Sequence, residues 1–292
     1  MAGVTAPPRW WPAPAKLNLY LHVTGRRADR YHLLDSLVAF ADIGDRVSAA
    51  PAARLSLDIA GPFAPALAGE AIENNLVWRA ARALAARLGR APEAALTLEK
   101  NLPVASGIGG GSSDAAAALK ALAALWHATL DEAALCAVAA ALGADVPVCV
   151  AGRAAFFGGI GDEIVAAPRL PPVAVVLANP GIALPTASVF RARTGDFSAP
   201  ARFSAPPASA AALAAVLAAR RNDLTPAASG LVPVIGEVLG ALERQSGALI
   251  ARMSGSGATC FALFETTAAA EAAAATLKRE QPRWWVASGK LL

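Results

Sequence analysis

Cysteine is scarce in this chain: Cys136, Cys149 and Cys260 are the only three among 292 residues, an odd number with no metal-ligand spacing. Each sits in an apolar neighbourhood, so the pattern excludes a disulfide framework and reads as buried thiols in a reducing compartment. A long uninterrupted apolar run is also missing. Hydrophobic residues make up 55% of the chain and mean hydropathy is +0.45, but alanine inflates both figures. The longest charge-free stretches, 133–144 and 170–190, are too short to span a bilayer or are broken by Pro, Asn and Gly. The opening MAGVTAPPRWWPAPA has neither a continuous apolar core nor a basic segment before one, so no secretory leader is expected. A cytoplasmic protein without a membrane segment follows.

No block of five or more basic residues occurs, although the net charge is +4. Scattered charge of that kind disfavours a nucleic-acid partner and suits a small anionic substrate. At this length the chain holds one large domain or two of moderate size, with a substantial core either way.

One stretch stands out against this background. Pro103-Val104-Ala105-Ser106-Gly107-Ile108-Gly109-Gly110-Gly111-Ser112-Ser113 crowds four glycines between an alternating segment, 95–102, and an alanine-rich run. The spacing predicts a strand, a glycine loop and then a helix reaching about Trp126. Glycine lets backbone N–H groups approach a ligand closely, and a helix start adds unpaired donors and partial positive charge, so the loop suits a phosphate. Tight strand-to-helix packing produces glycine clusters too. Ser112, Ser113 and Asp114 follow at once, able to cap the helix or to reach a phosphate or Mg²⁺. No Lys-Ser/Thr pair ends the loop, which excludes a P-loop, and no acidic residue at a strand end follows it as a dinucleotide site requires.

Upstream, 14–23 alternates, with Leu17, Leu19, Leu21 and Val23 on one face and Lys16, Asn18, Tyr20 and His22 on the other. A lysine on a strand is ordinarily solvated, but this polar face also suits the lining of a cleft. Residues 25–32 read as a loop ending in Tyr31-His32, a pair fit to stack on a nucleobase or to pack beneath a loop. From 33 to 50 the chain reads as a strand region with Asp42 and Asp45 at a turn, and 54–59 as a further strand. Helices are expected over 74–88, 131–142, 210–221, 231–245 and 268–280, and strands over 172–179 and 284–287. Asp145 falls between the end of one of these helices and the apolar run 146–150, which reads as a strand; a carboxylate at a helix C-terminus is kept for capping or for chemistry. The segment 194–209 is rich in Ala, Pro and Ser and reads as an exposed connection without a function. Strands and helices alternate throughout, giving a mixed α+β class in two lobes.

Three separated segments, Ala15-Lys16-Leu17-Asn18-Leu19, the loop 103–113, and Ser254-Gly255-Ser256-Gly257-Ala258, resemble in order and spacing the signature motifs of the GHMP kinases. The resemblance runs over nearly the whole chain, and PAKLNLYLHVTGRRADRYHLLDSLV with GADVPV points to a branch whose acceptor is a cytidine-diphosphate-linked polyol used in isoprenoid precursor synthesis. It implies an α+β, two-domain fold with the active site in the cleft between lobes, residues 1–158 forming the N-terminal and 159–292 the C-terminal domain. It further implies ATP and Mg²⁺ as cofactors, Asp145 as base and Lys16 as the cation stabilising the alkoxide and transferring phosphoryl. Pro103 to Ser113 would hold the ATP phosphates, with Ser113 at the metal. Asn18 would orient the acceptor, and Tyr31 and His32 would hold the cytosine with Phe190 stacking from the other side. Kinases of the homoserine or mevalonate type, and a non-catalytic nucleotide-binding module, are the alternatives. Arg30 stands where the family has glycine before Tyr-His, which demands a backbone suited to an L-residue there or a shifted loop, with a base pocket that differs in detail.

Overall fold

The computed structural model describes residues 8–161 and 163–292, so part of the leader reading, residues 1–7, lies outside the described residues. The chain folds into two compact units, each assembled from separated pieces: residues up to Pro14 with Gly44–Leu102 and Gly110–Ala151, and Ala15–Ile43 with Pro103–Gly109 and Gly152–Leu292.

In chain order the elements are β1 (Trp10–Arg26), β2 (His32–Ala50), β3 (Ser56–Ala60), α1 (Leu76–Arg87), β4 (Ala95–Glu99), α2 (Gly110–Leu125), α3 (Glu132–Ala140), α4 (Val146–Ala151), β5 (Ala155–Gly159) and β6 (Glu163–Ala166). They continue with β7 (Ala174–Asn179), α5 (Thr186–Ala192), α6 (Ala210–Ala218), α7 (Thr225–Leu231), α8 (Val234–Glu243), β8 (Ala248–Met253), β9 (Cys260–Phe264), α9 (Thr267–Glu280) and β10 (Trp285–Lys290). Among the described residues no helix is long and apolar enough to cross a membrane.

In the first unit β4 lies parallel to β3 and antiparallel to the Arg46–Ala50 end of β2. Helices α1 and α2 pack on one another, as do α3 and α4. Helix α1 starts where the Asn75 side chain accepts from the Val77 N–H, and it buries Val77, Ala80, Ala81 and Leu84 as one stripe. Helix α2 is buried almost all round, from Ser113 to Ala123, and its alanines provide the small side chains that close packing demands.

In the second unit the Leu34–Val38 part of β2 pairs antiparallel with β5, and β5 with β6. A separate antiparallel sheet runs β10-β7-β9-β8. Strand β7 (AVVLAN) is buried along its whole length. Its core is shared with Cys260, Ala262 and Phe264 of β9, Ile235, Val238 and Leu242 of α8, and Ala270, Ala273 and Leu277 of α9.

The structure corrects the sequence reading in several places. Residues 146–150 form helix α4, not a strand, so Asp145 precedes a helix N-terminus, where the macrodipole favours a carboxylate. No turn occurs at Asp42 and Asp45, because β2 runs unbroken through both. Asp45 is buried and accepts from the backbone N–H groups of Asn101 and Leu102, while Asp42 accepts from the Lys290 N–H. The helix expected over 231–245 begins at Val234, after the separate α7. Residues 194–209 are no bare connection. Ser198 N–H donates to the Val23 carbonyl and Ala201 N–H to Asp35, and Phe203 meets Phe156 edge-on.

Candidate active site

Within the second unit the three motifs interlock. Strand β1 carries Lys16 and Asn18 in a fully buried run, 4% exposed each, so the polar face of this strand lies indoors. The Lys16 N–H donates to the Ile108 carbonyl at 2.9 Å, and the Lys16 ammonium lies 5.3 Å from the centre of the Phe157 ring. The Asn18 N–H donates to Ser254 Oγ at 3.1 Å, and that hydroxyl donates onward to the Gly107 carbonyl at 3.0 Å. The Thr259 N–H reaches the Ser106 carbonyl at 3.1 Å.

This fit explains the glycines. Gly107 has φ +77°, Gly109 +63°, Gly255 +53° and Gly257 +83°. A Cβ on Gly107 would stand 2.6 Å from the Ser254 carbonyl oxygen, and one on Gly255 would stand 2.7 Å from the Gly107 carbonyl oxygen. At Gly109 it would lie 3.0 Å from Lys16 Cβ. The two glycine loops therefore close on each other backbone to backbone, which only residues without side chains permit. Asn222, which the sequence reading missed, braces the second loop by donating to the carbonyls of Met253 and Gly255, each at 2.8 Å. An asparagine after two arginines gives no sequence signal of that role.

Beyond Lys16 and Asn18, the β1 face continues with a hydrogen-bonded ladder. Asn18 Nδ2 donates to Ser36 Oγ at 2.8 Å, and the Tyr20 hydroxyl donates to Asp35 at 2.9 Å. Burial first, and then Asp35, pushes the Tyr20 hydroxyl well above its ordinary pKa. At the end of the ladder the His22 Nδ1 lies 2.9 Å from the Ala199 carbonyl.

The β1–β2 connection places Tyr31 63% exposed, while His32 stacks on Phe190 of α5 with ring centres 5.1 Å apart and planes 23° apart. Arg30 holds φ +72°, so the arginine sits in the left-handed region that favours glycine and not in the backbone expected of an L-residue. Burial first, then Arg26 and Arg193, lowers the His32 pKa, so this imidazole favours its neutral form.

The first unit holds the remaining expected residues. Gly110 to Ser113 form the first turn of α2. Ser112 keeps partial solvent access, whereas Ser113 is buried and donates to the Pro14 carbonyl at 2.7 Å. Asp145 is half-buried beside α4. Asp114 lies past the first turn and caps nothing; it pairs with Lys100 at 2.8 Å, and Lys100 also pairs with Asp45. Burial raises the Asp114 carboxyl to about 8, a shift that Asp45 reinforces and Lys100 offsets only in part. This buried triad was not read from the sequence, where Asp45 looked like a turn residue and Lys100 was given no role.

The profile of the GHMP kinases N terminal domain matches residues 75–153, and that of the GHMP kinases C terminal matches residues 207–283. A 4-diphosphocytidyl-2-C-methyl-D-erythritol kinase of Paramagnetospirillum magneticum is 53% identical over 281 residues, 96% of this chain and 97% of that protein. A crystal structure of 4-(cytidine 5'-diphospho)-2C-methyl-D-erythritol kinase superposes with a TM-score of 0.79 at 37% identity, covering 97% of this chain and 99% of that one. A homoserine kinase from Cytophaga hutchinsonii shares the fold, with a TM-score of 0.67 at 17% identity over 100% of this chain and 96% of that one.

Proposed function

The chain belongs to the GHMP kinases, and from that premise we propose that it transfers the γ-phosphoryl of ATP to the 2-hydroxyl of 4-diphosphocytidyl-2-C-methyl-D-erythritol. The observation that carries the substrate is the 53% identity, over 96% of this chain, to a relative bearing that kinase's name. The interlocked motifs around Lys16 support the reading from the geometry.

In this reading residues 1–158 supply the phosphate loop and the catalytic pair, and 159–292 complete the enzyme, which works in the cytoplasm. The backbone of 103–113 receives the triphosphate. Its left-handed glycines, Gly107 and Gly109, leave backbone N–H groups free of side-chain cover, and the N–H groups opening α2 add further donors. Asp145, half-buried just before α4, takes the proton from the attacking hydroxyl. Lys16, shielded from water, offsets the charge developing on the alkoxide and on the transferring phosphoryl. A Mg²⁺ ion bound with the nucleotide would supply positive charge to the triphosphate. Among the described residues no group of three or more His, Cys, Asp or Glu side chains is placed to hold a metal. Ser113, whose hydroxyl lies 2.7 Å from the Pro14 carbonyl oxygen and 3.4 Å from Cys149 Sγ, would offer such an ion an oxygen lone pair. Asn18 orients the acceptor, and the cytosine is held at Tyr31, His32 and Phe190.

ADP release with the diphosphocytidyl alcohol, set against homoserine and mevalonate, tests the reading. Turnover with the first alone is expected, and Asp145→Asn is expected to lose about 10² to 10⁴ in kcat. Equal turnover with homoserine refutes the substrate; undiminished turnover by Asp145→Asn refutes the base.

A further inference from the structure

The buried triad Asp45, Lys100 and Asp114 has no part in the reaction as described, yet it is expensive to keep. All three side chains are nearly inaccessible, 4% or less. Two carboxylates share one ammonium, and Asp114 Oδ1 is buried without a hydrogen-bond partner. An orphaned buried acceptor costs about 1–3 kcal/mol, and an apolar trio of the same volume would avoid it.

The placement gives a reason for keeping it. Lys100 closes β4, and its peptide is itself fixed, the N–H donating to the Ala60 carbonyl at 2.8 Å and the carbonyl accepting from Phe63 N–H at 3.1 Å. A Cβ on Gly61 would stand 2.6 Å from that carbonyl oxygen, so the backbone here is closely encased. Asp45 Oδ1 accepts from Asn101 N–H at 2.5 Å and from Leu102 N–H at 2.8 Å, the two residues before Pro103. Asp114 sits one turn into α2, and the Lys100 ammonium lies 3.0 Å from where a Gly110 Cβ would be. One cluster thus ties the segment leading into the glycine loop, Lys100–Leu102, to the segment leading out, Gly110–Asp114. It also sets a positive charge directly beneath the helix opening.

The geometry points to Asp45, Lys100 and Asp114 as positioning residues that fix both flanks of the glycine loop for the nucleotide triphosphate without touching it. This rests on the reading of the loop as the ATP phosphate site. The cluster acts on the donor of the phosphoryl group and not on the acceptor. A purely structural cluster would affect stability alone or both substrates equally.

Asp114→Asn, which keeps the shape and replaces the titrating carboxyl with an amide that cannot ionise, is the variant of choice, with Lys100→Met beside it. In folded Asp114→Asn, kcat/KM for ATP is expected to fall about tenfold or more, while KM for the alcohol stays within twofold. Both parameters within twofold of the parent, or a fall in kcat/KM for ATP matched by a comparable rise in KM for the alcohol, overturns the proposal. Hydrogen exchange on the parent protein supplies a reading independent of any variant. On addition of a non-hydrolysable ATP analogue, the amides of 100–102 and 110–114 are expected to slow together. Slowing at 110–114 alone overturns the coupling. If the parent releases no ADP with the diphosphocytidyl alcohol, the substrate assignment fails, and the exchange experiment still decides the role of the cluster.

Discussion

Asp35 and Asp114 are buried to almost the same depth, 2% and 3% exposed, and are served in opposite ways. Asp35, in the second unit, accepts from the Tyr20 hydroxyl at 2.9 Å, the Ala201 N–H at 2.7 Å and Arg202 Nε at 2.8 Å, so both oxygens are occupied. Asp114, in the first, shares a single ammonium with Asp45 and leaves one oxygen bare. The first carboxylate is a staple holding residues 201–202 against β1 and β2. The second breaks the rule that buried polar atoms find partners, and it breaks it beside the turn where an anion is expected. Local rules are obeyed where the chain only needs to fold, and are broken where it has something to hold.

The sharpest test removes the cation. Lys100→Met leaves Asp45 and Asp114 facing one another in a buried site, and a loss of about 3–5 kcal/mol in unfolding free energy is expected from denaturant titration. A loss below 1 kcal/mol would mean that both carboxylates are already neutral, and the contrast with Asp35 would collapse. The staple is worth less. Asp35→Ala strands the Tyr20 hydroxyl but leaves Arg202, 34% exposed, free to turn to water, so about 1–3 kcal/mol is expected. A larger loss than that of Lys100→Met would reverse the comparison.

The sequence carried the order and spacing of the three motifs, the strand with Lys16 and Asn18, and the start of α2, because glycine crowding and period-two alternation are local signals. It misplaced what depends on partners distant in the chain. Residues 146–150 looked like a strand because VPVCV is rich in β-branched valine, and a six-residue helix is too short to display its own period. Asp45 looked like a turn former since aspartate favours turns, whereas its carboxylate serves two backbone amides of residues 101 and 102. The segment 194–209 looked inert by composition, because its attachments run through its backbone, at Ser198 and Ala201, where side-chain identity says nothing.

Arg30 offers the same contrast as backbone strain. The second unit is well satisfied around Asp35, yet at the Tyr31-His32 loop it holds an arginine at φ +72°. The left-handed conformation costs an L-residue about 1–2 kcal/mol, so Arg30→Gly is expected to stabilise the protein by about 1 kcal/mol after glycine's own entropy is counted. If the variant is instead less stable, the Arg30 side chain contributes more than the left-handed backbone costs, since the carbonyl that accepts from Arg26 is unchanged by the substitution.

The mildest effect belongs to His32, where the same loop meets pH. Burial lowers its pKa, and the cations facing it, Arg26 and Arg193, lower it further, with Phe190 stacked on the ring. Below its unfolded value of about 6.5, folding must strip a proton from this ring. The stability it contributes is therefore in place above about pH 6.5 and is lost as pH falls through the folded value. On the proposed reading, in which the neutral His32 ring holds the cytosine, kcat/KM for the diphosphocytidyl alcohol is expected to be level above that pH and lower in acid, while kcat/KM for ATP measured alongside stays flat. Histidine 32 titrating in the opposite direction, with acceptor use improving in acid, would show the imidazolium to be the binding form and would place the acceptor's diphosphate, not its base, against this ring.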